Sequence, residues 1–470
     1  MTYRPADAAF RKILLSELPE DILTEAGPSY LEEPRGRWAG SAGILAKPRN
    51  TQQVASLVRC AAEQDVPVVP YSGGTGLVGG QIMPGDVAPL LISTERMSAQ
   101  RAVYPSENVL EVDAGMILAD VQAAAQRVDR HFPLSLAAEG TARIGGNLST
   151  NAGGLGVLRY GTARELCLGV EAVLPDGSIY NGLSRVRKDN TGYDLRHLLI
   201  GAEGTLGIIT GASLKLFAQP KSTRVAFLTV PDPASALALL NLLRDHMGNV
   251  VNAFELIHRQ GLEFLEQTMP DVRQPFATKP QWSVLAEVGV FRGEVGKTLQ
   301  LLLEEAMGKG LVNDGAIAQS EAQAEAFWAV RENIPEANRR IGSVSSHDMS
   351  LPLGTLPEFI RQADELIRSM GPFRVNCFGH VGDGNLHYNV FPPVGASRED
   401  FMAERAEIKR ALHDLVDSFG GSVSAEHGIG RLKVDDLERY ADPAKLAAMR
   451  AIKSALDPKG IMNPGAVLRA

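Results

Sequence analysis

The sequence predicts an α+β protein of two domains. Three observations carry that prediction. In the first half, helical patterns alternate with short apolar strands. From about Lys221 the texture shifts to longer strands with amphipathic helices. Glycine makes up 47 of the 470 residues, and the glycines gather in a few loops that follow strands. Alternation without a regular strand–helix–strand repeat is the α+β pattern. A chain of 470 residues has room for two or three domains, each with its own core.

The elements follow in order. Thr51–Gln64 puts Val54, Leu57, Val58 and Ala61 on one face of a helix. Residues 66–70, Val-Pro-Val-Val-Pro, read as a short buried strand. It runs directly into Tyr71-Ser72-Gly73-Gly74-Thr75-Gly76-Leu77-Val78-Gly79-Gly80. Further strands are expected at 89–93, 109–112, 170–174 and 206–216, with a helix at 119–127. In the second half, strands are expected at 225–230 and 282–288, and the segment 373–376 leads into a histidine-bearing stretch. Helices are expected at 234–246, 296–309, around 322–331, around 356–369 and over 398–419. Strands with helices packed on one face, given twice, imply an antiparallel sheet. The first domain is placed at residues 1–218 and completed by 455–470; the second spans 219–454. The Pro/Gly-punctuated turn 457–465 lies in that closing segment.

Composition excludes several functions. Hydrophobic residues make up 44 % and charged residues 22 %, as in ordinary globular proteins. The net charge of −8, with no Lys/Arg-rich run, argues against a nucleic-acid partner. No apolar run of about 18 residues exists, so no transmembrane segment is expected. Cys60, Cys167 and Cys377 show no paired spacing, which fits a reducing compartment. The N-terminal 40 residues match neither a secretory signal nor a transit peptide, and the expected location is cytoplasmic.

Gly74-Thr75-Gly76-Leu77-Val78-Gly79 matches G-x-G-x-x-G literally, but a Rossmann site must open a helix there. Here the chain continues Gly80-Gln81-Ile82-Met83-Pro84-Gly85, where proline and glycine block helix growth. The better reading is a loop whose consecutive amides form an anion nest around a pyrophosphate. Glycines let the backbone approach phosphate oxygens closely. Residues 139–154 and 201–208 have the same character. Three such loops exceed what one phosphate needs and suit a long ligand such as FAD.

A second concentration lies near the C-terminus. Gly379-His380-Val381-Gly382-Asp383-Gly384-Asn385-Leu386-His387 is followed some forty residues on by Glu426-His427, so three of the chain's nine histidines fall here. Imidazole and carboxylate are ligands that a borderline divalent ion such as zinc prefers. The adjacency of Glu426 and His427 allows one to ligate while the other moves protons. No His-Glu-x-x-His and no zinc-spaced cysteine pair is present.

Six segments together carry a family resemblance. Pro70 to Leu77, Gly145 to Gly154, and Lys188-Asp189-Asn190-Thr191-Gly192-Tyr193-Asp194-Leu195 resemble the FAD-binding domain of the vanillyl alcohol oxidase/p-cresol methylhydroxylase superfamily. Gly379 to His387, Ser424 to Gly430 and Asp457 to Gly465 resemble its D-lactate and D-2-hydroxyglutarate dehydrogenase branch. The resemblance spans nearly the whole chain. It implies an FAD-binding domain of the p-cresol methylhydroxylase type plus a C-terminal α+β substrate (cap) domain on an antiparallel sheet.

By that resemblance, Pro70, Ser72, Gly73, Gly74, Thr75, Gly76 and Leu77 cradle the FAD pyrophosphate. Thr141, Gly145, Asn147, Thr150 and Asn151 line the flavin and diphosphate, and Glu139, Gly140 and Gly154 belong to the same set. Glu203, Gly204 and Ile208 finish the adenine and ribose side, and Asn463 approaches the isoalloxazine. His380, His387 and Glu426 match metal ligands, usually for zinc, and His427 matches the catalytic base. Arg331, Asn389 and His347 match substrate-binding positions.

Two departures are visible. Covalent members of the superfamily carry histidine where this chain has Thr75, which implies FAD held non-covalently. The 2-hydroxyglutarate enzymes usually carry lysine just before a segment that here reads His347-Asp348-Met349-Ser350-Leu351-Pro352, and this chain has Ser346 there.

The implied reaction oxidises a D-2-hydroxy acid, of D-lactate or D-2-hydroxyglutarate type, to its 2-oxo acid. Hydride passes to flavin N5 while metal coordination and His427 assist loss of the hydroxyl proton; an imidazole with pKa around 6.5 suits that work. The implied partners are a small hydroxy acid and an external electron acceptor: an electron-transfer flavoprotein, a cytochrome or a quinone. A homodimer is a further expectation. The alternatives are a flavin-dependent alcohol oxidase of the same fold and a non-catalytic electron-transfer flavoprotein.

Overall fold

The computed structural model describes residues 3–293 and 295–469. The chain forms two compact units. The first comprises Met1–Gly153, Gly161–Ala218 and Glu426–Ala470; the second comprises Gly154–Tyr160 and Gln219–Ala425. The chain thus returns to the first unit at Glu426, and a short piece, Gly154–Tyr160, goes with the second.

The first unit holds two sheets. β1 (Leu23–Thr24), β2 (Ile44–Ala46), β3 (Val68–Tyr71) and β4 (Leu90–Ser93) run in the order β1-β2-β4-β3, with β2 and β3 both parallel to β4. β5 (Gln100–Tyr104), β6 (Val109–Asp113), β7 (Cys167–Val173), β8 (Ile179–Gly182) and β9 (Ile208–Lys215) make an antiparallel sheet ordered β5-β6-β9-β7-β8.

The helix Thr51–Gln64 begins where Asn50 accepts a side-chain hydrogen bond from the Gln53 amide. It ends where Asp65 turns left-handed, at φ +55°. Its apolar face joins the core containing Val68, Leu90, Ile92, Ile461 and Met462. Met462 bridges Val68 in parallel, so the C-terminal loop lies against β3. The Asp457 carboxylate shapes that loop by accepting from the Ile461 and Met462 amides. The second glycine segment is not all loop: Ile144–Ser149 is a short helix.

The second unit is built on one antiparallel sheet. Its strands are β10 (Ser222–Val230), β11 (Val251–His258), β12 (Trp282–Val290), β13 (Asp314–Ile317), β14 (Ser345–Ser350), β15 (Arg374–Gly379) and β16 (Asn385–Phe391), in the order β13-β10-β12-β11-β15-β16-β14. Helices cover both faces, not one as the sequence suggested. On one face the helices Arg259–Thr268 and Glu321–Ile341 pack against Phe227, Ile257, Leu285, Phe378 and Phe391. On the other, Asp364 of helix Leu356–Met370 accepts from the Tyr388 hydroxyl, and His413 of helix Arg405–Ser418 meets His347. The strands β10 and β12 are accordingly apolar on both sides, the continuous run that burial of both faces produces.

Two helices differ from expectation. Glu321–Ile341 runs ten residues beyond 331, straight through Pro335, a residue that ordinarily signals a break. The expected helix over 398–419 divides into a 3₁₀ turn, Arg398–Phe401, and the helix Arg405–Ser418. A capping box closes the short turn: Ser397 accepts from the chain ahead and Asp400 reaches back to the Ser397 amide.

Candidate active site

In the first unit the glycine loops surround a half-open cleft. Pro70, Ser72, Gly76, Gly145, Thr150, Glu203, Gly204 and Ile208 of the expected set form its wall. Tyr71, Val78, Gly80, Gln81, Thr94, Gly146, Ser149, Gly207 and Ile209 complete it, and the sequence reading did not single these out. Gly73 has no room for a side chain, because a Cβ there would sit 2.7 Å from the Thr141 carbonyl oxygen. Gly204 has φ +72°, and its Cβ would meet Pro70 Cγ at 2.7 Å. Gln81 donates to the Gly76 carbonyl at 2.8 Å and holds the first loop's shape. The Gly146 amide donates to Ser72 Oγ at 3.0 Å and ties the first loop to the second.

Gly73, Gly74, Thr75, Leu77, Glu139, Gly140, Thr141, Asn147, Asn151, Gly154 and Asn463 stand outside the cleft lining. Several have structural work. Asn151 accepts from Thr162 Oγ1 and the Arg164 amide, Glu139 accepts from Ser135 and Gln122, and Gly140 and Thr141 are exposed. Thr94 Oγ1 in the cleft wall and Asn147 Oδ1 beside the second glycine loop are buried polar atoms without a hydrogen-bond partner among the described residues. Such groups cost about 1–3 kcal/mol each when left unsatisfied. A phosphate-bearing ligand fits a wall of small residues into which the buried Thr94 hydroxyl can donate.

Glu203 belongs to this cleft in an unexpected way. Its carboxylate accepts from the Ile429 and Gly430 amides at 2.7 and 2.8 Å, so it pins the loop that begins with Glu426 and His427. Burial pushes its pKa up to about 7, although those amides and Arg431 pull the other way. Arg431 donates to the Gly79 carbonyl, to Asn463 Oδ1 and to the Pro464 carbonyl, and burial lowers its pKa to about 10.

A folded pKa near 7 lies above the roughly 4.3 of an unfolded glutamate, so the neutral form is favoured by folding. Stability from this group is full below pH 4.3 and is lost as pH rises through 7, by about 4 kcal/mol. Glu203→Gln is expected to remove most of that slope. Denaturant unfolding of both proteins at pH 5 and pH 8, in equal FAD, checks this; parallel slopes would refute it.

In the second unit, His380 and His387 project from the face of the sheet that also carries Glu255 and Phe378. Phe378 pairs across strands with both Ile257 and His387, and successive side chains alternate faces. His380 Nδ1 lies 2.7 Å from Glu255 Oε1, and Arg331 Nε donates to Glu255 Oε2 at 2.7 Å. Glu255 is 1 % exposed. Burial alone would raise its pKa, but His380 and Arg331 outweigh burial and hold it at about 2. The Arg331 guanidinium lies over the Phe378 ring, 4.9 Å from its centroid. Glu255 escaped the sequence reading; the available signal was a lone acid inside the apolar run Ala253-Phe254-Glu255-Leu256-Ile257.

Glu426 is one peptide bond past Ala425, the last residue of the second unit. His380, His387 and Glu426 each offer one ligand atom, and the three atoms lie within 4.8 Å of one another. Two imidazoles and a carboxylate match the donor set of catalytic zinc sites. His427 Nε2 lies 3.6 Å from Glu426 Oε1.

Asn389 shares the face of His387, and Ser346 is its direct cross-strand partner. His347 does not join them, which corrects its expected substrate role. It pairs with Tyr388 in the register, so it points to the opposite face. There it is 4 % exposed, with Ser345 Oγ at 2.8 Å from Nε2 and His413 Nε2 at 3.2 Å from Nδ1.

Comparison with known proteins agrees with both halves. Residues 42–182 match the family model described as "FAD binding domain", and residues 219–467 match "FAD linked oxidases, C-terminal domain". This chain belongs to the FAD-linked oxidase family, and its first unit carries the family's FAD-binding domain. It is 37 % identical over 457 residues to the mitochondrial D-2-hydroxyglutarate dehydrogenase of Bos taurus, covering 95 % of this chain and 81 % of that one. It is 32 % identical over 455 residues to the D-2-hydroxyglutarate dehydrogenase of Stutzerimonas stutzeri, covering 96 % and 97 %. Among solved structures, substrate-bound p-cresol methylhydroxylase superposes with TM-score 0.75 at 15 % identity, covering 100 % of this chain and 99 % of that one. The 4-ethylphenol oxidase of Gulosibacter chungangensis gives 0.75 at 16 %, covering 99 % and 98 %. At those identities the likeness establishes the fold. No helix among the described residues is long and apolar enough to cross a membrane.

Proposed function

We propose that this chain oxidises a D-2-hydroxy acid to the corresponding 2-oxo acid. The observation that carries the reading is the convergence of His380, His387 and Glu426 within 4.8 Å, with Arg331 held next to His380 through Glu255. The relatives named D-2-hydroxyglutarate dehydrogenase support the substrate class.

The loops around Ser72, Gly76 and Gly145 would hold FAD, without a covalent link since Thr75 stands where covalent relatives carry histidine, and the cofactor would supply hydride-accepting chemistry. A divalent ion at His380, His387 and Glu426, with zinc favoured by the donor set, supplies Lewis acidity toward the substrate hydroxyl. His427 accepts the hydroxyl proton as the C2–O bond becomes a carbonyl. Arg331 holds the C1 carboxylate through its terminal nitrogens, its Nε being engaged by Glu255. Asn389 contacts the substrate from the same sheet face. At the far end, Ser346 presents a hydroxyl paired with Ser343 Oγ at 2.6 Å, not a cation. Electrons then leave to an electron-transfer flavoprotein, a cytochrome or a quinone. A homodimer in the cytoplasm completes the reading.

An anaerobic screen of glycolate, D-lactate, D-malate and D-2-hydroxyglutarate, each chiral acid beside its L enantiomer, tests the reading. Flavin bleaching is expected with one or more D acids, and it is expected to disappear on chelation and return with added zinc. Bleaching only by alcohols that lack a carboxylate, or full turnover in metal-free protein, would overturn it.

A further inference from the structure

Glu255 is a carboxylate sealed in the second unit at 1 % exposure, and both its oxygens are committed. Oε1 lies 2.7 Å from His380 Nδ1 and Oε2 accepts from Arg331 Nε at 2.7 Å. The three groups come from separate elements: β11, the residue after β15, and helix Glu321–Ile341. An unpaired carboxylate buried this deeply is strongly unfavourable, and removing one partner of a buried pair is more damaging than removing both. The arrangement therefore couples its two partners through one rigid group.

We propose that Glu255 is the positioning residue that sets the metal ligand His380 and the carboxylate-binding Arg331 together; this rests on the metal and substrate reading above. A carboxylate that accepts from Nδ1–H favours the tautomer whose Nε2 carries the lone pair, the nitrogen a metal ion would take. Accepting from Nε fixes the plane of the guanidinium and assigns the substrate carboxylate to the terminal nitrogens of Arg331. The ring of Phe378 supports the guanidinium from its flat side, 4.9 Å from Cζ. Glu255 also offsets the arginine charge, which would otherwise repel an incoming dication. Two functions that read as independent in the sequence, metal binding and anion binding, thus share one second-layer carboxylate.

Glu255→Gln keeps the shape and removes the charge; its amide can accept from only one of the two partners. In purified FAD-loaded protein, zinc affinity measured by competition with a chromogenic chelator is expected to fall about 10- to 100-fold, with FAD content unchanged. At saturating zinc, KM for the best D-2-hydroxy acid is expected to stay raised, because restoring the ion does not restore Arg331. Wild-type zinc affinity in Glu255→Gln, or a normal KM at saturating zinc, would refute the coupling. If Glu255→Gln does not accumulate folded, Glu255→Asp, with the charge kept and one methylene lost, is read the same way. His380→Ala is the control: if it too binds zinc as wild type does, the metal reading itself falls, and not only the role of Glu255.

Discussion

Replacing His427 with alanine is expected to slow flavin reduction by a D-2-hydroxy acid about 10²- to 10⁴-fold, while FAD and metal remain bound. The separation of these effects follows from how the loop is held. Glu203 accepts from the Ile429 and Gly430 amides, and the Arg431 amide donates to the Val78 carbonyl at 2.8 Å, none of which involves the His427 ring. Truncating the imidazole therefore leaves the loop, and Glu426 with it, in place. Anaerobic stopped-flow following flavin absorbance gives the rate, and cofactor and metal content are measured on the same sample. Wild-type rates in the variant would assign the proton to another group.

Asn463→Ala is expected to destabilise the first unit by about 3–5 kcal/mol and to lower FAD occupancy with it. Asn463 is 1 % exposed, and its side chain is fully engaged. Nδ2 donates to the Gly80 and Glu203 carbonyls at 2.9 and 2.8 Å, and Oδ1 accepts from Arg431 at 2.9 Å. Truncation removes both of these carbonyl contacts, strands the Glu203 carbonyl and leaves one donor of a buried guanidinium unpaired; the Gly80 carbonyl keeps Arg431 Nη1 at 3.3 Å. The residue also sits at φ +45°, a conformation asparagine tolerates better than alanine. This side chain braces the first and third glycine loops through their backbone. Chemical unfolding and flavin content measure the effect. A variant as stable as wild type would show that these bonds carry little.

Parts of this molecule were legible because local physics decided them. The helix Thr51–Gln64 carries its own cap, its own period and its own stop. The apolar strands β10 and β12 are long enough to betray burial by themselves. The polar strands β14 and β16 were not legible as strands, since Ser345–Ser350 and Asn385–Phe391 mix polar and apolar residues and take their conformation from pairing with each other. Thr94 and Glu255 were missed for related reasons. A single threonine or acid gives no local pattern, and its meaning arises only from what lies opposite it.

Sequence by itself determined the chemistry on offer: glycine backbone for a phosphate-bearing cofactor, and two imidazoles with a carboxylate for a metal. Those depend on residue type and on the few residue types that can do the work. Only the tertiary structure decided how the parts are aimed. Sheet register turned His387 and Asn389 to one face and sent His347 to the other, because neighbouring strand residues must point opposite ways. Long-range packing brought Glu255 from one strand to a histidine 125 residues on, a separation no local pattern encodes.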